Sequence, residues 1–173
     1  MVEVGAGNGL NFAHYPRTVT RVIAVEPEPR LRGLATQAAG QTAVSVTVTP
    51  GTAERLPLPD RSVDGAVLCL VLCSIAERTT ALEELRRVLR PGGMLRFLEH
   101  TIGDTPGLVR VQRIADATLW PLLTGGCHTA TDPAGDIGAA GFALTEMRRL
   151  RFPKTGPVMP VSPHVLGGAS APD

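Results

Sequence analysis

Lysine is almost absent from this chain, which carries one against sixteen arginines, and aromatic residues are scarce, with four Phe, one Tyr and one Trp. A core must therefore rest on Leu, Val, Ala and Ile. Charge of either sign is not in excess: seventeen basic and sixteen acidic residues leave a net charge of +1. That balance offers no electrostatic footprint for nucleic acid or an anionic membrane surface, so neither is expected as a partner. No apolar run approaches the ~20 residues that span a bilayer and no signal peptide opens the chain, so no membrane anchor is expected in it. Cysteine is sparse: Cys69, Cys73 and Cys127 make no disulfide framework, and a cytoplasmic location is the expectation. Cys69 and Cys73 have no second close pair and no histidine near them in the sequence, which argues against zinc. No metal site is expected.

The 173 residues suit one domain over 1–173, with a cofactor-binding half at 1–100 and a substrate-side half at 101–173. Strand and helix signals alternate through the first hundred residues, the pattern of a parallel sheet covered on both faces. Strands are expected at Met1–Val4, Arg21–Val25, Val44–Val48, Val63–Cys69 and Met94–Glu99. Pro29–Ala39 has Leu31, Leu34, Ala35 and Ala38 at helical spacing, with Pro29 in its first turn and Gly40 at its end. Thr80–Leu89 reads as a second helix with Thr80 and Glu83 as a capping box, stopped by Arg90-Pro91-Gly92-Gly93. Further on, Leu108, Val111, Ala115, Leu119 and Leu122 predict one helix. Phe142–Phe152 and Val158–Val165 predict an antiparallel edge pair, and Gly167–Asp173 a frayed tail. The chain opens directly on a strand, so its start is expected to be truncated or misplaced, or the form to be minimal.

Glu3-Val4-Gly5-Ala6-Gly7-Asn8-Gly9 carries the chemistry. A strand ends in three glycines, each spaced by one residue, and a short helix follows. Glycine is required where backbone turns with positive φ or presses against a ligand. Such a loop at the carboxyl end of the first strand is where open α/β sheets bind nucleotides. A dinucleotide fingerprint would place its last glycine at position 10, which is Leu10, and no Lys-Ser/Thr pair follows to make a phosphate loop. The cradle suits a nucleoside without a pyrophosphate. Glu26, at the tip of the second strand and about 20 residues on, suits both hydroxyls of an adenine ribose.

Gly51-Thr52-Ala53-Glu54-Arg55-Leu56-Pro57, Ser62-Val63-Asp64 and Leu89-Arg90-Pro91-Gly92-Gly93 follow in order. As an ordered set with the glycine loop and Glu26, these residues resemble class I S-adenosylmethionine-dependent methyltransferases, with a methyltransferase domain of type 11. The resemblance covers residues 1 to 100. It implies an α/β, Rossmann-like, seven-stranded and mostly parallel sheet with helices on both faces, the usual N-terminal helices missing, and S-adenosylmethionine as cofactor. On that resemblance Glu3 and the Gly5, Ala6, Gly7 and Gly9 loop approach the methionine moiety, and Glu26 holds the ribose. Pro27 and the Thr52-Ala53-Glu54 segment attend the adenine, and Leu70 lies near the sulfonium. Thr52 stands where the family more often has aspartate.

A narrower set, Leu70-Val71-Leu72-Cys73-Ser74, Phe97-Leu98-Glu99-His100, Gly126-Cys127 and Pro163-His164, is similar to thiol S-methyltransferases and their bacterial relatives. It implies methyl transfer to a small-molecule acceptor, with a thiol favoured. His100, after the fifth strand, is the candidate general base, or else a residue that only bonds a loop carbonyl. Glu99 orients His100 or closes the strand. Cys73 and Cys127 line the acceptor pocket as small apolar groups. The helix with Trp120 walls that pocket or packs in the core. His164 is a lesser candidate for substrate contact, and His14 and His128 are expected at the surface. The alternative to an enzyme is a SAM-binding regulatory or scaffold protein that transfers nothing.

Overall fold

Val2–Val4 forms β1, buried on every residue because it lies at the middle of the sheet, between β2 (Arg21–Val25) and β4 (Val63–Cys69), both parallel to it. The computed structural model describes residues 1–173. Beyond β2 lies β3 (Ser45–Thr49), and beyond β4 lies β5 (Leu89–His100), again parallel. The chain then adds β6 (Ala143–Arg151) and β7 (Pro163–Ser170), and β7 runs antiparallel between β5 and β6. The order β3-β2-β1-β4-β5-β7-β6 makes a seven-stranded, mostly parallel sheet. The order reverses at β1 and β4, which opens a crevice at their carboxyl ends.

Helices cover both faces. On one side α1 (Pro29–Ala39) packs Ala35 with Phe12, Ala24 and Ala6. Glu28 caps α1, its carboxylate accepting from the amides of Arg30 and Leu31. On the other side α2 (Arg78–Val88) and α5 (Pro133–Ala139) bury Leu82, Leu85 and Ile137 against Leu95, Phe97 and Val165. No helix is long and apolar enough to cross a membrane.

The structure corrects four local expectations. The capping box fails because α2 starts at Arg78, with Glu77 at its N-cap, so Thr80 already sits inside the first turn. Arg90–Gly93 does not stop the helix: Leu89 ends it and is the first residue of β5. The helix expected to reach Leu122 breaks into α3 (Pro106–Asp116) and α4 (Trp120–Leu123). Pro121 could not continue a helix from α3, since its ring would meet the carbonyl of Ala117. The last strand is Pro163–Ser170, so the glycines expected to fray are buried in the sheet. A Cβ on Gly167 would lie 2.4 Å from the Phe97 ring, so this glycine makes room for a core aromatic.

The apolar face expected over Leu108–Leu122 is also not a buried one. Val111, Leu119 and Leu122 are 50%, 66% and 82% exposed, and the residue that is fully buried is Gln112. The two hydrogens of its amide nitrogen are shared among the carbonyls of Thr101, Thr129 and Pro160, at 3.1, 3.0 and 2.9 Å, and its oxygen accepts from the Gly103 amide at 2.7 Å. One side chain thus ties three loops together beside the end of β5. Gln112→Leu keeps the size and leaves these buried groups without partners, at ~1–3 kcal/mol each. The expected total is at least ~3 kcal/mol, or about 6–12 °C in a thermal melt of a domain this size. A shift under about 2 °C, which is ~1 kcal/mol or less, would mean that Gln112 does not organise these loops.

Candidate functional site

Three glycines at the end of β1 turn the chain sharply, with φ of +67° at Gly5, +57° at Gly7 and +83° at Gly9. The loop is stitched to the next strand: the amides of Gly5 and Ala6 donate to the Val25 carbonyl, and that of Gly7 to a Glu26 carboxylate oxygen at 2.8 Å. The other Glu26 oxygen accepts from the Glu28 amide at 3.0 Å. Glu26 is 5% exposed, and a carboxylate has acceptor sites beyond these two bonds. Two of the glycines are required by crowding and one is not. A Cβ on Gly5 would sit 2.2 Å from Val71 and one on Gly9 2.7 Å from Phe12, while one on Gly7 would meet nothing within 4 Å. The bare backbone at Gly7 therefore faces open space.

Ala6 turns its methyl into the small core with Phe12, leaving only its backbone toward the loop's outer side. Glu3 lies beneath the loop, 1% exposed, its carboxylate accepting from Asn11 at 2.8 Å and the Tyr15 hydroxyl at 2.7 Å. Burial pushes the Glu3 carboxyl above the usual range and, with Glu3 beside it, raises the Tyr15 phenol. Glu3 thus anchors the turn Leu10–His14 under the glycines.

The remaining cofactor candidates sit at neighbouring strand ends. Pro27 is exposed after β2. After β3, Thr52 is exposed and bridges to Arg55, Ala53 is 8% exposed, and Glu54 is half-buried. This segment is held from below by α2: Glu84 accepts from the Leu56 amide at 2.8 Å, and Arg87 bonds Glu84, Asp60 and the Leu56 and Leu58 carbonyls. Sequence reasoning missed this Arg87 hub, whose one local sign is the Glu84–Arg87 spacing. Leu70, past β4, has φ +54° and is 43% exposed. An apolar residue in the left-handed region is strained, and such strain gathers at ligand sites. All of these candidates share the carboxyl edge of β1 to β4.

A second cluster lies one strand further along. His100 ends β5, Cys73 sits on the single turn Leu72–Ser74 after β4, and Cys127 follows α4. The two sulfurs are 3.3 Å apart, and Cys127 Sγ is 3.4 Å from His100 Nδ1. The histidine absent near Cys73 in the sequence is supplied by β5, so a Cys-Cys-His donor set forms that the sequence spacing does not show. Cys127 ionises more readily than usual because Cys73 can donate to it, and the same bond, with burial, raises Cys73. Asp116, on the last turn of α3, anchors the loop after Cys127 by accepting from Thr129 and Ala130 at 2.7 and 2.9 Å.

Glu99 does not orient His100. One of its oxygens accepts from the amides of Val71 and Leu72 at 3.1 Å, fixing the turn that carries Cys73, and the other has no partner. Burial pushes this carboxyl up to about 7. The His164 ring lies 4.7 Å from that of His100 and is held by the Ser162 carbonyl at 3.0 Å. It also lines a cavity of about 420 Å³ with Thr101, Leu108 and Arg149. Burial lowers the pKa of His164, favouring its neutral form. His14 and His128 are exposed, as expected. Pro163 and His164 open β7, where His164 pairs with His100, and Trp120 lies beside Cys127, so the four short motifs at residues 70–74, 97–100, 126–127 and 163–164 meet at the end of β5.

Residues 2–97 match the methyltransferase domain family. The human thiol S-methyltransferase TMT1B is 32% identical over an alignment that covers 98% of this chain and 69% of that protein. A solved SAM-dependent methyltransferase from Methanosarcina mazei superposes with a TM-score of 0.76 at 21% identity, covering 99% of this chain and 91% of that one. The [4+2]-cyclase SpnF superposes with a TM-score of 0.77 at 19% identity, covering 99% of this chain and 73% of that one. The fold is common to both, so the reaction must be argued from the site and not from the fold.

Proposed function

This chain belongs to the methyltransferase domain family and is an S-adenosylmethionine-dependent enzyme, and on that premise we propose that its acceptor is a small-molecule thiol. What supports the thiol is the likeness to thiol S-methyltransferases over 98% of the chain, together with the convergence of Cys73, Cys127 and His100 beyond β4 and β5. We assign Glu26 to the ribose, the backbone around Gly7 to the methionine portion, and Pro27, Thr52, Ala53 and Glu54 to the adenine side. The open space over Gly7 and the strained, exposed Leu70 support this fit, since they leave room where a ligand must approach backbone. Thr52 offers a hydroxyl, without the charge of an aspartate, to the adenine amino group.

When bound, S-adenosylmethionine supplies a methyl carbon activated by sulfonium, and the new sulfur–carbon bond forms as the bond to the sulfonium breaks, its electron pair staying with the leaving sulfur. The chain's own task is alignment and exclusion of water, which can account for roughly 7–11 kcal/mol of barrier lowering in favourable cases. Glu26 and the glycine loop fix one reactant. Leu70 and Val71, at the strained corner after β4, stand between that site and Cys73. A thiol with a pKa near ~8.5 is already a few per cent thiolate at neutral pH, so His100 need not act as a strong base.

The test is turnover with matched panels of alkanethiols, phenols and amines, read by mass spectrometry of methylated products. Methyl thioethers should form, and thiols should exceed phenols and amines in kcat/KM by at least about tenfold, or ~1.4 kcal/mol. Products from phenols or amines alone would reject the thiol. No product from any panel, with S-adenosylmethionine bound, would favour a regulatory role.

A further inference from the structure

We propose that Cys73, Cys127 and His100 bind one zinc ion, and that its fourth position takes the acceptor thiol as a thiolate. The second clause rests on the thiol reading above; the first does not. The three donor atoms come from three separate elements, yet all lie within 4.8 Å of one another. Around a tetrahedral zinc, with bonds of ~2.3 Å to sulfur and ~2.0–2.1 Å to nitrogen, neighbouring donors stand about 3.5–3.8 Å apart. The observed separations of 3.3 Å between the sulfurs and 3.4 Å from Cys127 to His100 need a few tenths of an ångström of expansion, and the Cys73–His100 separation, which is within 4.8 Å, needs at most about 1 Å of contraction.

The donor set also selects the ion. Two thiolates and one imidazole favour zinc over magnesium or calcium, which prefer oxygen. Two cysteines and one histidine match a catalytic zinc site, which keeps one position open, whereas structural sites close all four. No fourth Cys, His, Asp or Glu joins this group. Cys73 and Cys127 are 2% and 7% exposed, so water competes little for the ion.

The surroundings hold the donors in place. Glu99 pins the turn bearing Cys73 through the Val71 and Leu72 amides, and the His128 amide donates to the Cys73 carbonyl at 2.9 Å, joining the two cysteine segments. Thr131 donates its hydroxyl to the His100 carbonyl. Binding the ion releases the thiol protons of Cys73 and Cys127 to solvent, and the acceptor releases its own on becoming the fourth ligand. No electron changes hands. After transfer the product is a neutral thioether, a weaker zinc ligand than a thiolate, and it departs. In this arrangement His100 is a ligand and not a base.

The experiment is a cobalt(II) titration of the metal-free full chain under anaerobic conditions, followed by addition of an alkanethiol. One equivalent should give thiolate-to-cobalt charge transfer in the near ultraviolet and tetrahedral bands in the visible, and zinc should displace it. The thiol should then intensify and shift the charge-transfer band. Cys127→Ser and His100→Ala should each weaken metal affinity at least about 100-fold, the upper end of what loss of a supporting contact alone costs. The wild-type spectrum decides the matter even where a variant does not fold.

Absence of a thiolate-to-cobalt band would overturn the site, and a band indifferent to added thiol would overturn its open position. Methyl thioether formed at an undiminished rate after exhaustive chelation would reject the zinc role while leaving the thiol acceptor intact. A cobalt spectrum that responds to thiol, in an enzyme that methylates only phenols or amines, would uphold the metal site and reject the acceptor.

Discussion

Gly7→Leu is expected to abolish S-adenosylmethionine binding while leaving the protein folded, and Gly5→Ala is expected to do the reverse in order of severity. At Gly7 a side chain points into open space, so its cost to the fold is the left-handed backbone alone, ~1–2 kcal/mol. In the proposed site that space is where the cofactor meets bare backbone, and affinity should fall more than about 100-fold, or ~2.7 kcal/mol. At Gly5 the smallest possible side chain already lies 2.2 Å from Val71, on top of a φ of +67°. Strain and overpacking together should exceed ~3 kcal/mol, lowering the melting temperature by about 6–12 °C or more. Isothermal titration with S-adenosylhomocysteine beside calorimetric melts separates the two. A Gly7→Leu protein that binds normally would remove the cofactor from this loop.

Glu26→Ala should weaken cofactor binding by about 10–100-fold and cost ~2–3 kcal/mol of stability, the first through the ribose and the second through orphaned amides at Gly7 and Glu28. The two effects share one cause, because the carboxylate that would hold the sugar also fixes the loop against β2. Glu26→Gln keeps an acceptor oxygen but loses the charge, so it should fall between wild type and alanine on both scales. Unchanged affinity in both variants, measured by the same titration, would place the ribose elsewhere.

What was legible in the sequence was local. Strand–helix alternation over the first hundred residues and the glycine spacing after β1 gave the sheet and its crevice, because each signal needs only neighbours along the chain. Gly167 and Gly168 look like loose chain in the sequence, and only the fold lays Phe97 across the first and Arg96 and Thr145 across the second. The face of α3 was misread for a related reason: Leu and Val at helical spacing suggest the buried side, but Gln112 is the residue that three loop carbonyls require. The Cys73–Cys127 pair spans 54 residues, and no periodicity could bring it together. Only the resemblance of four short motifs to one group of enzymes hinted that those segments share a place.

An adenosyl sulfonium is proposed to lie along Gly5–Gly9 with its sugar on Glu26 and its sulfur turned toward Cys73. A crystal structure of the S-adenosylhomocysteine complex measures this directly. Ribose hydroxyls are expected within hydrogen-bonding distance of Glu26, with no side chain between the ligand and Gly7, and the sulfur facing the end of β4. A nucleoside bound away from Glu26, or a sulfur pointing to the opposite side of the sheet edge from His100, would contradict it.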